Sequence, residues 1–293
     1  MKSRVIYLNG QLVPENERHI SALDRGFTLG DGVFDTLRAV NGHIFRLDDH
    51  LERLDRAAKT IGLELPVEPS VLTGGIAYLL EANGLADALI RITISRGIPA
   101  RRGLLPPEIP SPCVAIAATP FVGYPEEWYE NGYRAVISKV RRNETSPLSR
   151  IKSCNYLDSV LARMEASAQG ADEALFLNVS GELVCGTSSN VFIVQDGNLA
   201  TPHLESGILD GITRRTVLGI AQRLGIHCTQ RAVHLDEVCR SQEAFITNTA
   251  IGIMPLVALN GYPIGSGVPG PVTQGLRKAY NGVLYCSGPT TKR

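Results

Sequence analysis

What this sequence lacks narrows the field first. It has no excess of charge of either sign: 29 Lys plus Arg face 29 Asp plus Glu, for a formal net charge of +0 at pH 7. A balanced chain spreads no broad field toward nucleic acid or an anionic membrane, so neither is an expected partner. A local basic pocket stays compatible with that total. There is no Cys-x-x-Cys pair among the cysteines at 113, 154, 185, 228, 239 and 286, and no His-Glu-x-x-His among the histidines. A zinc cage or a disulfide framework therefore has no support, and no metal is expected. Unpaired cysteines scattered over such a chain suit a reducing compartment, so the expected location is cytoplasmic. No stretch approaches the ~18 apolar residues of a membrane span. Residues 1–10 show neither the apolar core nor the small-residue cleavage site of a secretion signal.

What is there suits a globular α/β protein. The 293 residues are 44% hydrophobic and 20% charged, enough for one large domain or two. Val5-Ile6-Tyr7-Leu8 and Gln11-Leu12-Val13 flank Asn9-Gly10, and residues 33–40 and 43–45 flank Asn41-Gly42. Each Asn-Gly suits the positive φ values of a tight hairpin turn. Leu47, Leu51, Leu54, Ala58 and Ile61 step by three and four, so 47–61 reads as an amphipathic helix, and a second helix covers 71–83. Strands at 88–95 and 113–118 enclose an Arg/Gly/Pro-rich loop. The division expected is a smaller N-terminal α/β domain at 1–118, a linker at 119–125 and a larger domain at 126–293. In the latter, strands are expected at 134–140, 173–178, 190–195, 228–233, 244–247 and 254–259. Helices are expected near 155–168, 211–225 and 271–281, with a frayed end at 286–293.

Several segments carry polar chemistry. Lys152 follows the basic loop 141–150 and precedes a helical stretch; partial desolvation there favours a nucleophilic amine, although a surface lysine is the commoner outcome. Gly207 to Arg215 runs from a loop into a helix whose N-terminus, with the Thr213 hydroxyl, suits a phosphate; an ordinary capped helix is the simpler reading. Thr247-Asn248-Thr249-Ala250 adds hydroxyl donors, or is a polar turn. Arg53 lies off the apolar stripe of its helix, on a face that otherwise reads as solvated. Gly265-Ser266-Gly267-Val268-Pro269-Gly270 matches the dinucleotide pattern, but too little chain follows for the strand and acidic residue that pattern requires. It reads as a Gly/Pro connection.

Five motifs in order carry a family resemblance. They are residues 24–34 (Asp-Arg-Gly-Phe-Thr-Leu-Gly-Asp-Gly-Val-Phe), His50-Leu51-Glu52-Arg53-Leu54, Lys152-Ser153-Cys154-Asn155-Tyr156, residues 186–192 (Gly-Thr-Ser-Ser-Asn-Val-Phe) and Gly207 to Arg214. Together they resemble the class IV aminotransferases, the fold-type IV pyridoxal-phosphate (PLP) enzymes, over about residues 7–280. That resemblance implies a mixed α/β, two-domain D-amino-acid-aminotransferase-like fold, PLP as cofactor and a homodimer. It implies that Lys152 forms the internal aldimine and shuttles the proton, and that Arg53, Ile212, Thr213 and Thr249 hold the phosphate. It also suggests Tyr156 as a partner of the cofactor's phenolic oxygen.

One position departs from the pattern. The family places a glutamate before the Gly-x-x-x-Asn-x-Phe segment, where its carboxylate keeps the pyridine nitrogen protonated. Here that residue is Cys185, a weak hydrogen-bonding group. Glu182 and Glu205 are candidate substitutes. A weaker electron sink harms transamination more than elimination. The Lys152/Asn155 spacing, Arg91 to Gly97 followed by Arg102-Gly103, and Asn248 also resemble the lyase branch. Arg91, Arg102 and Asn248 are thus the candidate substrate contacts, although the arginines also read as a solvated basic loop. The favoured expectation is aminodeoxychorismate lyase, which releases pyruvate and 4-aminobenzoate. The alternative is an aminotransferase for branched-chain or D-amino acids with an oxo-acid acceptor, and a third reading is a PLP-binding protein without catalytic power.

Overall fold

A computed structural model of the chain describes residues 4–101, 103–108 and 111–286. Its contacts divide it into two compact units. One runs up to Val122 and includes Ile151–Asn155; the other comprises Gly123–Arg150 and Tyr156–Cys286.

The first unit is built on β1 (Val5–Leu8), β2 (Gln11–Pro14), β3 (Gly32–Val40), β4 (His43–Ile44), β5 (Ala88–Ser95) and β6 (Cys113–Pro120), in the order β2-β1-β6-β5-β3-β4. Every neighbouring pair is antiparallel. Both expected hairpin turns form, with Asn9 and Gly10 at φ 47° and 93°, and Asn41 and Gly42 at φ 51° and 79°. Positive φ at both turn positions matches the strand twist, which is why Asn-Gly succeeds there. Three helices accompany the sheet: α1 (Arg25–Leu29), α2 (Leu47–Thr60) and α3 (Pro69–Asn83). The stepped apolar residues of α2 bury Leu51, Leu54, Ala57 and Ala58. They join Leu37, Ile90 and Ile92 in one apolar cluster.

The second unit opens with α4 (Glu126–Asn131), β7 (Tyr133–Arg142) and α5 (Leu157–Ala168). Strands β8 (Glu173–Asn178), β9 (Leu183–Gly186), β10 (Asn190–Gln195) and β11 (Asn198–Pro202) follow, then α6 (Ile212–Arg223), β12 (Cys228–Arg231) and α7 (Leu235–Arg240). The chain finishes with β13 (Glu243–Asn248), β14 (Gly252–Leu259), β15 (Tyr262–Pro263) and α8 (Pro271–Cys286). The sheet runs β12-β11-β10-β13-β14-β7-β8-β9 and returns on itself, because β9 also meets β10 at Cys185↔Asn190. All six residues of β8 and the first five of β10 and β13 are buried, as expected for strands covered on both faces.

Local differences from the sequence expectations have physical causes. Residue 155 was expected to open a helix, yet α5 starts at Leu157. Residues 151–155 are held extended by hydrogen bonds to β3, and the Asn155 Nδ2 donates to the Gly30 carbonyl at 3.1 Å. Helix α1 has five residues, too few to show a period; its Asp24 cap accepts from the Gly26 N–H at 2.7 Å. The expected frayed tail, 286–293, lies outside the described residues apart from Cys286, which closes α8. Gly265 sits at φ 54°, and a Cβ there would meet the Gln242 carbonyl oxygen at 2.0 Å, so this glycine serves a tight connection. Among the described residues no helix is long and apolar enough to cross a membrane.

Leu54 is 0% exposed. Leu54→Ala should lower the unfolding free energy by about 2–5 kcal/mol, the usual cost of a buried leucine cavity. Denaturant titration checks this, as a lowered midpoint at unchanged slope.

Candidate active site

In the first unit, backbone pairing sets the position of Lys152. The Phe34 N–H donates to the Lys152 carbonyl at 2.8 Å, and the Cys154 N–H donates to the Gly32 carbonyl at 2.9 Å. Ser153 bridges to Val33. Lys152 is half-buried, and its Nζ lies 4.5 Å from the centroid of the Phe34 ring. The Arg91 guanidinium lies 3.6 Å from the centroid of the same ring. One buried aromatic ring, 3% exposed, thus gathers two cations through its electron-rich face.

Arg53 is not on a solvated face. It is 6% exposed. Its Nε and Nη2 donate to the two oxygens of Asp35 at 2.9 and 2.8 Å. His50 Nδ1 lies 2.9 Å from Asp35 Oδ1. Burial alone raises the Asp35 carboxyl, but the Arg53 charge and hydrogen bonds from both partners overcome it, so it lies well below the usual carboxylate range.

The other basic residues of this unit divide. Arg91 is exposed, with its Nε 3.3 Å from Thr93 Oγ1. Arg96 is 3% exposed. It donates to Asp31 at 2.9 Å and to the carbonyls of Gly62 and Ile61 at 3.0 and 2.6 Å, which closes the end of α2. Arg25 binds the same Asp31 at 2.7 Å and holds the loop carbonyls of Gly103 and Leu104. Arg101 is exposed, and Arg102 lies outside the described residues.

In the second unit, α6 begins at Ile212 with Gly211 as a cap that offers no side chain. Ile212 and Thr213 are 3% and 4% exposed. The approach is pinned by Asn190, whose Nδ2 donates to the Leu209 carbonyl at 2.9 Å. A Cβ on Gly211 would meet the Asn190 Oδ1 at 2.0 Å, so glycine is needed for this close pass. Asn190 pairs with Thr247 across β10 and β13. That register brings the turn after Asn248 to the same sheet end as the helix start. Thr249 is half-buried in this turn. Asn248 Oδ1 accepts from the N–H groups of Ala250 and Ile251, both at 2.9 Å, and so shapes the turn. Thr247 is 1% exposed, and its Oγ1 has no hydrogen-bond partner among the described residues. An uncapped helix start and a buried unserved hydroxyl are donor chemistry that fits a phosphate ester.

Tyr156 caps α5 and lines a groove with Val160, Met164, Thr187 and Ser188. Cys185 faces Phe176 and Asn190 in strand register. Burial, with the Glu173 charge adding to it, pushes its thiol up to about 11 against the opposing Arg142 guanidinium. Arg142 stacks 4.5 Å over the Phe176 ring and donates to Ser159 Oγ at 2.8 Å. The two expected substitute carboxylates have partners of their own. Glu182 accepts from Asn178 and Ser206 at 3.0 and 3.1 Å, and the Glu205 side chain is 76% exposed beside His203. The buried carboxylate that sequence reasoning missed is Glu173, which accepts from Thr187 Oγ1 at 2.6 Å and Arg163 at 2.9 Å. Its signal was a charged residue opening an otherwise apolar strand. Asp35, in the middle of β3, carried the same signal. Among the described residues no cluster could hold a metal ion.

Comparison with known proteins places these features in a family. The class IV amino-transferase pattern matches residues 32–259. A putative branched-chain-amino-acid aminotransferase of Methanocaldococcus jannaschii is 36% identical over 282 residues, covering 95% of this chain and 96% of that one. D-alanine aminotransferase of Bacillus licheniformis is 32% identical, covering 94% of this chain and 95% of its own. Aminodeoxychorismate lyase of Bacillus subtilis is also 32% identical, covering 94% and 93%. Among solved structures, the branched-chain aminotransferase of Thermoproteus uzoniensis with norvaline superposes with a TM-score of 0.89 at 36% identity, covering 97% of this chain and 96% of that one. This chain belongs to the class IV amino-transferase family, whose members are PLP-dependent transaminases and lyases. Its mixed α/β, two-domain architecture is that of fold-type IV.

The thiol assignment has a direct readout. At about pH 8, iodoacetamide should alkylate exposed Cys239 and Cys286 in the native protein and spare Cys185, because a raised pKa keeps it a neutral thiol. Peptide mass mapping checks this; early labelling of Cys185 contradicts it.

Proposed function

We propose that this protein is a PLP-dependent aminotransferase acting on branched-chain amino acids, with a 2-oxo acid as amino acceptor. The observation that carries this reading is the full-length likeness to branched-chain enzymes in both sequence and structure. The lyase favoured by the motifs moves to second place, since its relative is 32% identical against 36% for the branched-chain enzyme. PLP supplies an aldehyde that captures the substrate amine and a ring that accepts electrons. In the first unit, Lys152 supplies the amine that holds the aldehyde, then carries the proton between carbon atoms as general base and acid. Arg53 supplies a guanidinium to the phosphate. In the second unit, the α6 N–H groups at Ile212 and Thr213 and the hydroxyl of Thr249 are further phosphate donors. Tyr156 serves the phenolic oxygen, and Cys185 the pyridine nitrogen. Arg91 receives the substrate carboxylate.

Cys185 favours the second reading, an aminodeoxychorismate lyase. A neutral thiol beside a guanidinium stabilises a protonated pyridine poorly, and elimination depends less on that protonation.

A substrate panel separates the two. Amino transfer from leucine, isoleucine or valine that requires an added oxo acid supports the proposal. Pyruvate release from 4-amino-4-deoxychorismate without an oxo acid selects the lyase. Cys185→Glu should raise the transamination rate about tenfold, equivalent to about 1.4 kcal/mol of barrier. An unchanged rate removes the electron-sink argument.

A further inference from the structure

Three ionisable side chains in the first unit have no part in the chemistry above except through one of them. Asp35 and His50 are each 1% exposed, and Arg53 is 6% exposed. Asp35 projects from β3; His50 and Arg53 lie three apart on α2, so they share a helix face. Burying such a cluster is an expensive way to stabilise a core. Apolar side chains of similar volume commonly do as well or better. Its geometry, by contrast, is tightly specified. Asp35 takes two N–H groups of one guanidinium, Nε and Nη2, at 2.9 and 2.8 Å. Because the guanidinium is planar and rigid, fixing one edge fixes the plane and direction of the whole group.

His50 completes the arrangement. An ionised Asp35 only accepts, so His50 Nδ1 carries the proton and donates to Oδ1 at 2.9 Å. The 3.3 Å approach of Arg53 Nη2 to the same nitrogen is then two donors converging on one oxygen. The Thr36 N–H donates to Oδ1 as well, at 2.6 Å. The carboxylate is thereby anchored from both the strand and the helix.

We propose that Asp35 and His50 are positioning residues for the cofactor's phosphate, acting through the orientation they impose on Arg53. The inference rests on the PLP reading of Arg53. It has a sign that a simple charge argument lacks. Asp35 is an anion beside an arginine assigned to another anion. By charge alone, neutralising it tightens phosphate binding. By orientation, neutralising it weakens phosphate binding: the amide oxygen stays where Thr36, His50 and Nη2 donate, so the amide N–H faces Nε, which needs an acceptor.

The test measures dissociation constants of the full-length protein for pyridoxamine phosphate and for pyridoxamine. This pair differs only in the phosphate and makes no bond to Lys152. The wild type should strongly prefer the phosphorylated form. Asp35→Asn should shrink that preference at least tenfold while leaving pyridoxamine affinity unchanged. His50→Leu should shrink it too, and His50→Asn, which can keep a donor toward Asp35, should restore much of it. An unchanged preference in Asp35→Asn overturns the inference and leaves the cofactor reading standing, as does an equal loss for both ligands. An increased preference shows a charge effect alone and also overturns it. A wild type without preference overturns the cofactor reading and this inference with it. Should Asp35→Asn not fold, the two His50 variants decide by the same ratio.

Discussion

Lys152 is useful only if its amine is held in one place while it gains and loses a proton, and a lysine side chain has four rotatable bonds with which to wander. The protein limits that freedom at the backbone. Residues 151–155 lie along β3, with Lys152 accepting from the Phe34 N–H and Ser153 bridging to Val33. The same strand then presents the Phe34 ring beneath Nζ. Strand pairing and aromatic contact act on one residue from two directions. Gly32 permits the closeness: a Cβ there would stand 2.7 Å from the Ile94 carbonyl and 3.3 Å from Cys154 Sγ.

Each unit also pairs sequestered carboxylates with arginines. Asp35 holds Arg53, Asp31 holds Arg25 and Arg96, and Glu173 holds Arg163. Asp35 and Asp31 both have carboxyl groups depressed below the ordinary range, despite burial that pushes the other way. A depressed folded-state pKa contributes stability above the unfolded-state value near 3.9, and that contribution fades as pH falls through the folded-state value. The first unit is thus sensitive to acid at both clusters. Arg25 and Arg96 spend their donors on loop and helix-end carbonyls as well, which makes them structural ties.

Much of this was legible before any coordinates. The Asn-Gly turns, the stepped apolar face of α2 and the isolated lysine before a helix are local signals, and local signals survive in a single sequence. The Asp35–His50–Arg53 cluster joins residues 15 and 18 positions apart on different elements, so no window of periodicity reveals it. Arg53 for that reason showed only a helix face off the apolar stripe, and its expected phosphate role came from the family resemblance alone. The extended run at 151–155 was hidden in the same way, because its partner strand lies more than a hundred residues upstream. Arg96 lies in the Arg91–Gly97 segment, and sequence shows its charge and not the acceptors waiting for it. The departure at Cys185 was visible, whereas its neighbour Arg142 and the engagement of Glu182 by Asn178 and Ser206 were not.

The central claim is a covalent one, and it is tested at one peptide. The protein saturated with PLP, reduced with borohydride and digested, should carry the pyridoxyl group on the peptide containing Lys152, and Lys152→Ala should carry none there. An unmodified Lys152 peptide, or the label on another lysine, contradicts the account.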